Sequence, residues 1–296
     1  MNFKFILIVC CLPLLFASCN IINPSEPVPT YIHIDSFSFS NTEPGRVGSS
    51  SHAITSVWVA YKGTTVGVYD LPATIPILAS GSGGLSLSPA VTLNGMNNFV
   101  SVYPFYFIDT STLVAAPGKT IRVSPSTHYY PAVADTFSYI ESFESGNAFD
   151  TTLTSINNVR ILRTISPDSV FEGHGSGRIA LNTTADTSES SFTSLTPGIT
   201  LDAGPTFCEF NYKGSLNLAI GIEPIIGGIP MASQRIYMYL FSPTNNWTKI
   251  YVSLANYISQ FGGAGQYMLY FKATVPDGQS NGYVLLDNVK VVTYKN

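Results

Sequence analysis

The sequence has few charged residues and too few cysteines for a disulfide framework. Charged side chains make up 11% of the 296 residues, and Ser, Thr, Gly, Pro and Asn fill most of the other polar positions, which is typical of secreted all-β proteins. The formal net charge of −4 disfavours nucleic acid as a partner. Of the four cysteines, Cys10 and Cys11 lie in an N-terminal apolar segment, and Cys208, in the alternating stretch PTFCEFNYK, is expected to be a small buried residue.

Motifs of catalytic and metal sites are also missing from the sequence. The four histidines fall in four separate segments and there is no CxxC pair, which excludes the usual zinc motifs. The stretch GHGSG places Ser176 before a strand, so it is not a nucleophile elbow. Glu141 and Glu144 lie three residues apart and would face opposite sides of a strand, unlike the carboxylate pair of a glycosidase. We therefore predict a protein that is not an enzyme and requires no cofactor.

The N-terminal segment predicts export from the cytoplasm. An apolar run over residues 5–16 follows the single charge of Lys4. Its length is typical of a signal-peptide hydrophobic region and is short for a membrane-spanning helix. We predict a signal peptide over residues 1–18.

The residues that follow this run predict a lipid anchor. The stretch FASC, which ends at Cys19, resembles the lipobox of bacterial lipoproteins, with Phe16 where leucine is usual. The resemblance implies cleavage before Cys19 and a diacylglycerol on its sulfur. The alternative is ordinary cleavage after Ser18, which leaves a free thiol. Residues 19–30 contain three prolines within NIINPSEPVPT, so we predict an extended tether there, lipidated at Cys19.

Alternating hydrophobic residues predict short β-strands along the rest of the chain. The stretch AITSVWVAYKGTTVGVYDLP is typical of a β-hairpin, and the strand spacing over residues 31–134 predicts an immunoglobulin-like small sandwich. A second set of strands predicts another β domain over residues 135–296, with the joint in PAVADT at residues 131–136. The predicted fold class is all-β. The stretch LANYISQFGGAG is the exception, because it predicts a short helix that ends at Gly262.

The second domain carries a resemblance to a known group of folds. The stretches ESFESG, GSGRIALN, NNWTKIYVSL and YVLLDNVKVV resemble the jelly-roll domains of carbohydrate-binding modules, laminin-G-like lectins and bacterial adhesins. This resemblance covers residues 137–294 and implies a C-terminal jelly-roll sandwich. It also implies a structural calcium ion held by Glu144 and Asp287, whose oxygens are ligands that calcium favours. The alternative is that Asp287 and Asn288 form a bend with side-chain to backbone hydrogen bonds.

Aromatic residues are numerous, although only two of them are tryptophan. Trp58 lies within an apolar strand and Trp247 at the head of another, so we expect both in the core. The stretch VYPFYF at residues 102–107 concentrates aromatic side chains. If it forms a regular strand, Tyr103 faces the core and Tyr106 faces outward. We therefore predict that Tyr106 contacts a partner protein, while a lipid interface or a sugar remains an alternative for this patch.

As a whole, the chain resembles two-domain lipoproteins of the Bacteroidota, which combine a lipobox, a segment like VWVAYKGTTVGVYDLPATIPIL and a C-terminal jelly-roll. The resemblance implies attachment to the outer membrane, and we predict exposure at the cell surface. The partners expected are membrane lipid and an outer-membrane protein. The predicted function is that of a non-catalytic accessory subunit of an outer-membrane protein complex, for example in β-barrel assembly or secretion. The alternative is a surface lipoprotein that binds a glycan through its jelly-roll domain.

Overall fold

A computed structural model describes most of the chain. It describes residues 26–41, 47–96, 98–131, 137–151, 158–192, 198–201, 204–263 and 265–294. The predicted signal peptide, Cys19 and most of the predicted joint lie outside these ranges and stay predictions. The regular structure described is almost entirely β, which confirms the predicted all-β class. Within the described ranges, no helix combines the length and the apolar character needed to cross a membrane.

The first half of the chain, residues 26–131, has ten described strands. They are β1 (Thr30–Ile34), β2 (Ser38–Phe39), β3 (Ile54–Tyr61), β4 (Thr64–Asp70), β5 (Ala73–Ile77), β6 (Ser82–Thr92), β7 (Val100–Val102), β8 (Asp109–Val114), β9 (Thr120–Val123) and β10 (Ser126–Thr127). A five-stranded sheet has the order β4-β3-β6-β7, with β8 also paired to β6, and a three-stranded sheet has the order β5-β1-β9. The short strands β2 and β10 pair with each other.

These sheets pack face to face. Ile32 and Ile75 from the three-stranded sheet and Val57 and Leu87 from the five-stranded sheet are fully buried in one hydrophobic core. The predicted hairpin is confirmed, because β3 and β4 pair antiparallel. The turn between them has positive φ at Lys62 and at the following glycine, as hairpin turns that match the twist of the strands require.

The second half, residues 137–294, has thirteen described strands. They are β11 (Phe137–Glu141), β12 (Phe149–Thr151), β13 (Leu162–Thr164), β14 (Ser176–Leu181), β15 (Ser188–Phe192), β16 (Ile199–Leu201), β17 (Thr206–Gly214), β18 (Asn217–Ile226), β19 (Ile229–Pro230), β20 (Ile236–Phe241), β21 (Thr244–Ser253), β22 (Gly265–Thr274) and β23 (Gly282–Thr293). A six-stranded sheet has the order β13-β14-β23-β17-β21, with β11 on β23. A seven-stranded sheet has the order β12-β15-β22-β18-β19, with β16 on β22 and β20 on β18.

The two large sheets form a sandwich around a second core. Phe210 of β17 and Phe271 of β22 are fully buried, and their ring centroids lie 5.1 Å apart in an edge-to-face arrangement. Short 3-10 turns cover residues 167–169 and 232–234. The predicted helix is confirmed as α1 (Ala255–Gln260), and Gly262 follows it with a φ of 93°.

The two halves meet at a buried boundary. Phe207, Tyr251 and Val292 of the second half belong to the hydrophobic core of the first half. Leu93 also forms an isolated parallel bridge with Tyr251, while the other pairings between described strands stay within one half. The halves are therefore packed on each other through apolar side chains, not merely connected by the chain.

Candidate functional site

Trp58 lies on the outward face of the five-stranded sheet, and 41% of its surface is exposed. Its neighbours along β3, Val57 and Val59, are fully buried, so the alternation of a strand directs Trp58 to solvent. Its cross-strand neighbours are Val68 on β4 and Ser88 on β6. The expectation of a core position for Trp58 is therefore wrong, because it was based on the apolar character of β3 and not on its two-residue period.

Small and hydroxyl-bearing side chains lie beside Trp58 on this face. Ser86 is two residues from Ser88 on β6, so it points to the same side of the sheet. Ser86 pairs with Thr110 of β8, and the next pair along these strands on the same face is Gly84 with Thr112. These side chains are short, which makes the indole the largest group on this part of the sheet.

A cleft of about 590 Å³ opens at the boundary between the halves on the same side of β3. Thr55, three residues before Trp58, lines the cleft, and a β-bulge between Ile54 and Ser56 brings its side chain to the side of Trp58, roughly 10 Å away along the strand. The Thr55 and Thr92 hydroxyl oxygens lie 3.5 Å apart. Most polar side chains that line the cleft carry hydroxyl groups, namely Thr55, Thr92, Tyr212, Ser242, Thr244, Thr248 and Tyr251. Trp58 and this cleft are referred to below as the Trp58 track.

A buried polar network lies behind the cleft and joins the halves. The Glu209 carboxylate is inaccessible to solvent and lies 2.9 Å from the ammonium of Lys249. Two hydroxyl groups of the first half also donate to it, from Tyr103 at 2.5 Å and from Tyr129 at 2.9 Å. Burial raises the pKa of Glu209, but the charges of Lys249 and Lys290 outweigh burial and hold the pKa below its usual range. Glu209 is therefore a charged anchor for both halves.

Tyr106 belongs to the same boundary, and its predicted outward position is wrong. Its side chain is buried, and its hydroxyl lies 2.9 Å from that of Tyr251. The reason is local, because the chain turns here and the Tyr106 N–H donates to the Tyr103 carbonyl instead of continuing a strand. Phe107 is the exposed aromatic residue of this stretch. A two-residue period does not apply across a turn.

Both predicted calcium ligands accept hydrogen bonds from the segment at the start of β14. Asp287 is buried and accepts hydrogen bonds from the Ser176 hydroxyl and the Asn288 N–H, each at 2.7 Å. Burial raises the pKa of Asp287 to about 6. The Glu144 carboxylate accepts the His174 N–H at 2.9 Å.

The Asn288 N–H bond to Asp287 is a side-chain to backbone hydrogen bond, as the alternative to calcium expected, but the two residues lie within β23, where Asn288 has a φ of 50°, and do not form a bend. Among the described residues, no group of three His, Cys, Asp or Glu side chains could hold a metal ion. The geometry thus supplies no further such side chain as a third ligand beside Glu144 and Asp287. A calcium ion at these residues stays a prediction.

A charged cluster on the outward face of the seven-stranded sheet was missed by sequence reasoning. The Arg235 guanidinium donates to Glu223 at 2.7 Å and to Glu189, and it lies 3.9 Å above the centroid of the Tyr270 ring. The Tyr237 hydroxyl also donates to Glu189. Burial raises the pKa of Glu189, but the bonds from Tyr237 and Arg235 lower it below its usual range. The charged groups of the cluster therefore pair with one another on this face of the sheet.

The sequence carries one signal of this cluster, a glycine in the middle of an apolar strand. A Cβ atom on Gly221 would lie 2.8 Å from the Tyr237 ring, so the glycine makes room for that ring on the sheet.

Two other predicted positions can also be located. Cys208 is buried as predicted, and burial raises the pKa of its thiol. Trp247 is half-buried beside Phe171, with ring centroids 5.3 Å apart.

Comparison with known proteins reveals likeness of fold. No family model and no curated protein sequence matches the chain. The CBM22-1 xylan-binding domain of Paenibacillus barcinonensis Xyn10C is 16% identical, with a TM-score of 0.38 over 54% of this chain and 96% of that domain. A carbohydrate-binding module of the β-sandwich superfamily is 15% identical, with a TM-score of 0.38 over 91% of this chain and 100% of that one.

A third similar structure is the K2 cleaved adhesin domain of Lys-gingipain. It is 15% identical, with a TM-score of 0.36 over 53% of this chain and 98% of that domain. Likeness at this level does not identify a ligand or a partner of this chain. Any function must therefore be inferred from the side chains that the chain presents.

Proposed function

We propose that this protein is a non-catalytic lipoprotein that binds a glycan along the Trp58 track. The exposed Trp58 on a flat, hydroxyl-rich sheet face is the observation that carries the proposal. An indole offers a large apolar surface that can stack on the C–H face of a pyranose ring, and its N–H can donate a hydrogen bond. Hydroxyl groups such as those of Ser88 and Thr110 both donate and accept, as sugar hydroxyls require.

The charges around the track favour a neutral glycan. Asp70 lies on β4 two residues after Val68, the cross-strand neighbour of Trp58, and its carboxylate accepts a hydrogen bond from the Ser56 hydroxyl at 2.7 Å. A carboxylate here repels uronic acids and sulfated sugars. The cation in the cleft lining, Lys249, is already paired with Glu209 at 2.9 Å. A neutral oligosaccharide that stacks on Trp58 extends towards the cleft.

The proposal includes the finer assignments made from the sequence. The first half is taken as an immunoglobulin-like sandwich and the second as a jelly-roll, in agreement with the face-to-face packing of their sheets. Cys19 is taken as the lipid attachment site on the basis of the FASC stretch. Attachment at the outer membrane with the folded part at the cell surface would present the Trp58 track to external glycans.

Binding to an array of neutral oligosaccharides, before and after the change Trp58→Ala, tests the proposal. Because Trp58 is exposed, we expect an unchanged melting temperature and a loss of affinity of about tenfold or more, equal to at least about 1.4 kcal/mol. Trp247→Phe is the matched control, since it removes the other tryptophan away from the track. Equal binding by wild type and Trp58→Ala, or no binding by the wild type, would refute the proposal.

The accessory-subunit function remains a second candidate because of one exposed apolar feature. Ile226 and Ile229 pair at the tip of the β18–β19 hairpin, and both are more than half exposed. Adjacent exposed aliphatic groups are typical of protein contacts. Co-purification in mild detergent separates the two functions. A stoichiometric outer-membrane protein that is lost when both isoleucines are changed to serine supports this candidate, whereas purification without a partner contradicts it.

A further inference from the structure

We propose that the end of the first half where the tether enters rests on the lipid bilayer. Three aliphatic side chains are strongly exposed at this end, namely Val28 (58%), Leu78 (67%) and Val114 (62%). They come from three separate segments, which are the residues before β1, the loop after β5 and the end of β8. We call this surface the tether-side end. The inference is independent of the glycan proposal.

Backbone contacts hold these three segments side by side. The Ala116 N–H donates to the Thr30 hydroxyl at 2.8 Å, and the Ala115 N–H donates to the Gly81 carbonyl at 2.8 Å. Ile77, the last residue of β5, pairs with Thr30, the first residue of β1. The three most exposed aliphatic groups of the first half therefore lie on one end of the sandwich, whereas the less exposed Val68 (45%) lies on the face of the five-stranded sheet.

The charge of the tether-side end suits an anionic lipid surface. Lys62 and Lys119 are both exposed there, and the Lys62 ammonium reaches the Ser80 carbonyl at 2.8 Å. The acidic residue in the described segments of this end is Glu26. Lysines beside exposed aliphatic groups are typical of surfaces that lie at the headgroup level of a membrane.

The opposite end of the first half has the reverse character. Asp35 follows the end of β1, Asp70 ends β4 and Asp109 begins β8. Arg122 pairs with Asp35 at 3.0 Å, which leaves this end acidic. The basic end of the first half is therefore the one that the tether would hold towards the membrane, and the acidic end would point away from it, although the whole chain has a net charge of −4.

The tether is short enough to keep this end near the membrane. If Cys19 carries the lipid, Glu26, the first residue described, lies seven positions after it. A fully extended chain of seven residues spans at most about 25 Å. If the sandwich is held within that distance, its tether-side end faces the bilayer. This end carries the exposed aliphatic side chains and the two lysines.

Depth measurements on the full lipidated protein test the inference. Leu78→Cys and Leu162→Cys place a thiol at similarly exposed leucines on the first and second halves, while Cys208 is buried and escapes labelling. Each variant is labelled with nitrobenzoxadiazole and incorporated into vesicles of phosphatidylethanolamine and phosphatidylglycerol that contain a doxyl-lipid quencher. We expect quenching at position 78 to be severalfold stronger than at position 162.

A charge variant extends the test. The changes Lys62→Glu and Lys119→Glu should reduce quenching at position 78 and remove its dependence on salt, since both lysines are exposed and their replacement leaves the core intact. Equal quenching at positions 78 and 162 would overturn the inference. Isolation of the protein without an acyl chain would overturn it as well, because the short tether is one of its premises.

Discussion

Removing the Glu209 carboxylate should destabilise the whole chain. In Glu209→Ala, the ammonium of Lys249 loses its ion-pair partner at 2.9 Å while its side chain stays buried. Breaking a buried pair by removing one member costs about 3–5 kcal/mol. The hydroxyl groups of Tyr103 and Tyr129 also lose their acceptor, at a cost of about 1 kcal/mol or more each. We expect a total loss of about 5 kcal/mol, a large part of the stability of an ordinary protein.

Urea unfolding followed by tryptophan fluorescence measures this loss. The control is Arg122→Ala, which breaks an ion pair of similar length, 3.0 Å, between side chains that are mostly exposed. An exposed pair contributes less than about 1 kcal/mol, so the control should stay close to the wild type. A Glu209→Ala variant no less stable than Arg122→Ala would show that the buried network does not join the halves. A separate unfolding transition for each half is the second expected sign, because Tyr103 and Tyr129 belong to one half and Glu209 to the other.

Three further outcomes follow from the described contacts. Tyr106→Ala should lower the stability by about 3–5 kcal/mol in thermal or urea unfolding, since its ring is buried, whereas Tyr106→Phe should lose only about 1 kcal/mol with the hydroxyl contact to Tyr251. Because the pKa of Asp287 is raised to about 6, its contribution is full below about pH 4 and is lost as the pH rises through 6. Relative to Asp287→Asn, the wild type should therefore lose about 2 kcal/mol between pH 4 and pH 7, and a parallel pH profile would contradict this. Gly221→Ala should displace the Tyr237 ring and destabilise the seven-stranded sheet, whereas Gly228→Ala, at a turn with open space around it, tests the cost of φ alone.

The sequence predicted correctly those features whose conformation depends on residues adjacent in the chain. The β3–β4 hairpin formed because its turn carries Lys62 and a glycine at positive φ, and α1 ended near Gly262 as expected. Cys208 is buried because it lies on a strand with both faces covered. These features depend on a few adjacent residues, so composition and periodicity are enough to find them.

The candidate sites required information that adjacent residues do not contain. Trp58 faces solvent because strand alternation outweighs the apolar character of its neighbours, and Tyr106 is buried because a turn interrupts the period on which its position was predicted. The Glu209 network and the Arg235 cluster join side chains from strands far apart in the chain. These residues come together only when the strands pair into sheets, and the spacing of residues in the sequence does not reveal that pairing.

The position of β1 determines how the fold bears a mechanical load. β1 lies in the middle of its sheet, antiparallel to β5 and parallel to β9, and the tether continues directly from its first residue, Thr30. If Cys19 carries a lipid as proposed, a glycan held at Trp58 would pull on the five-stranded sheet while the membrane holds β1. Force along the β1 axis then loads the hydrogen bonds on both of its edges together, in shear, instead of opening them one at a time as at the end of a hairpin. Under the proposed anchoring, the tether would therefore pull on a strand that resists extraction.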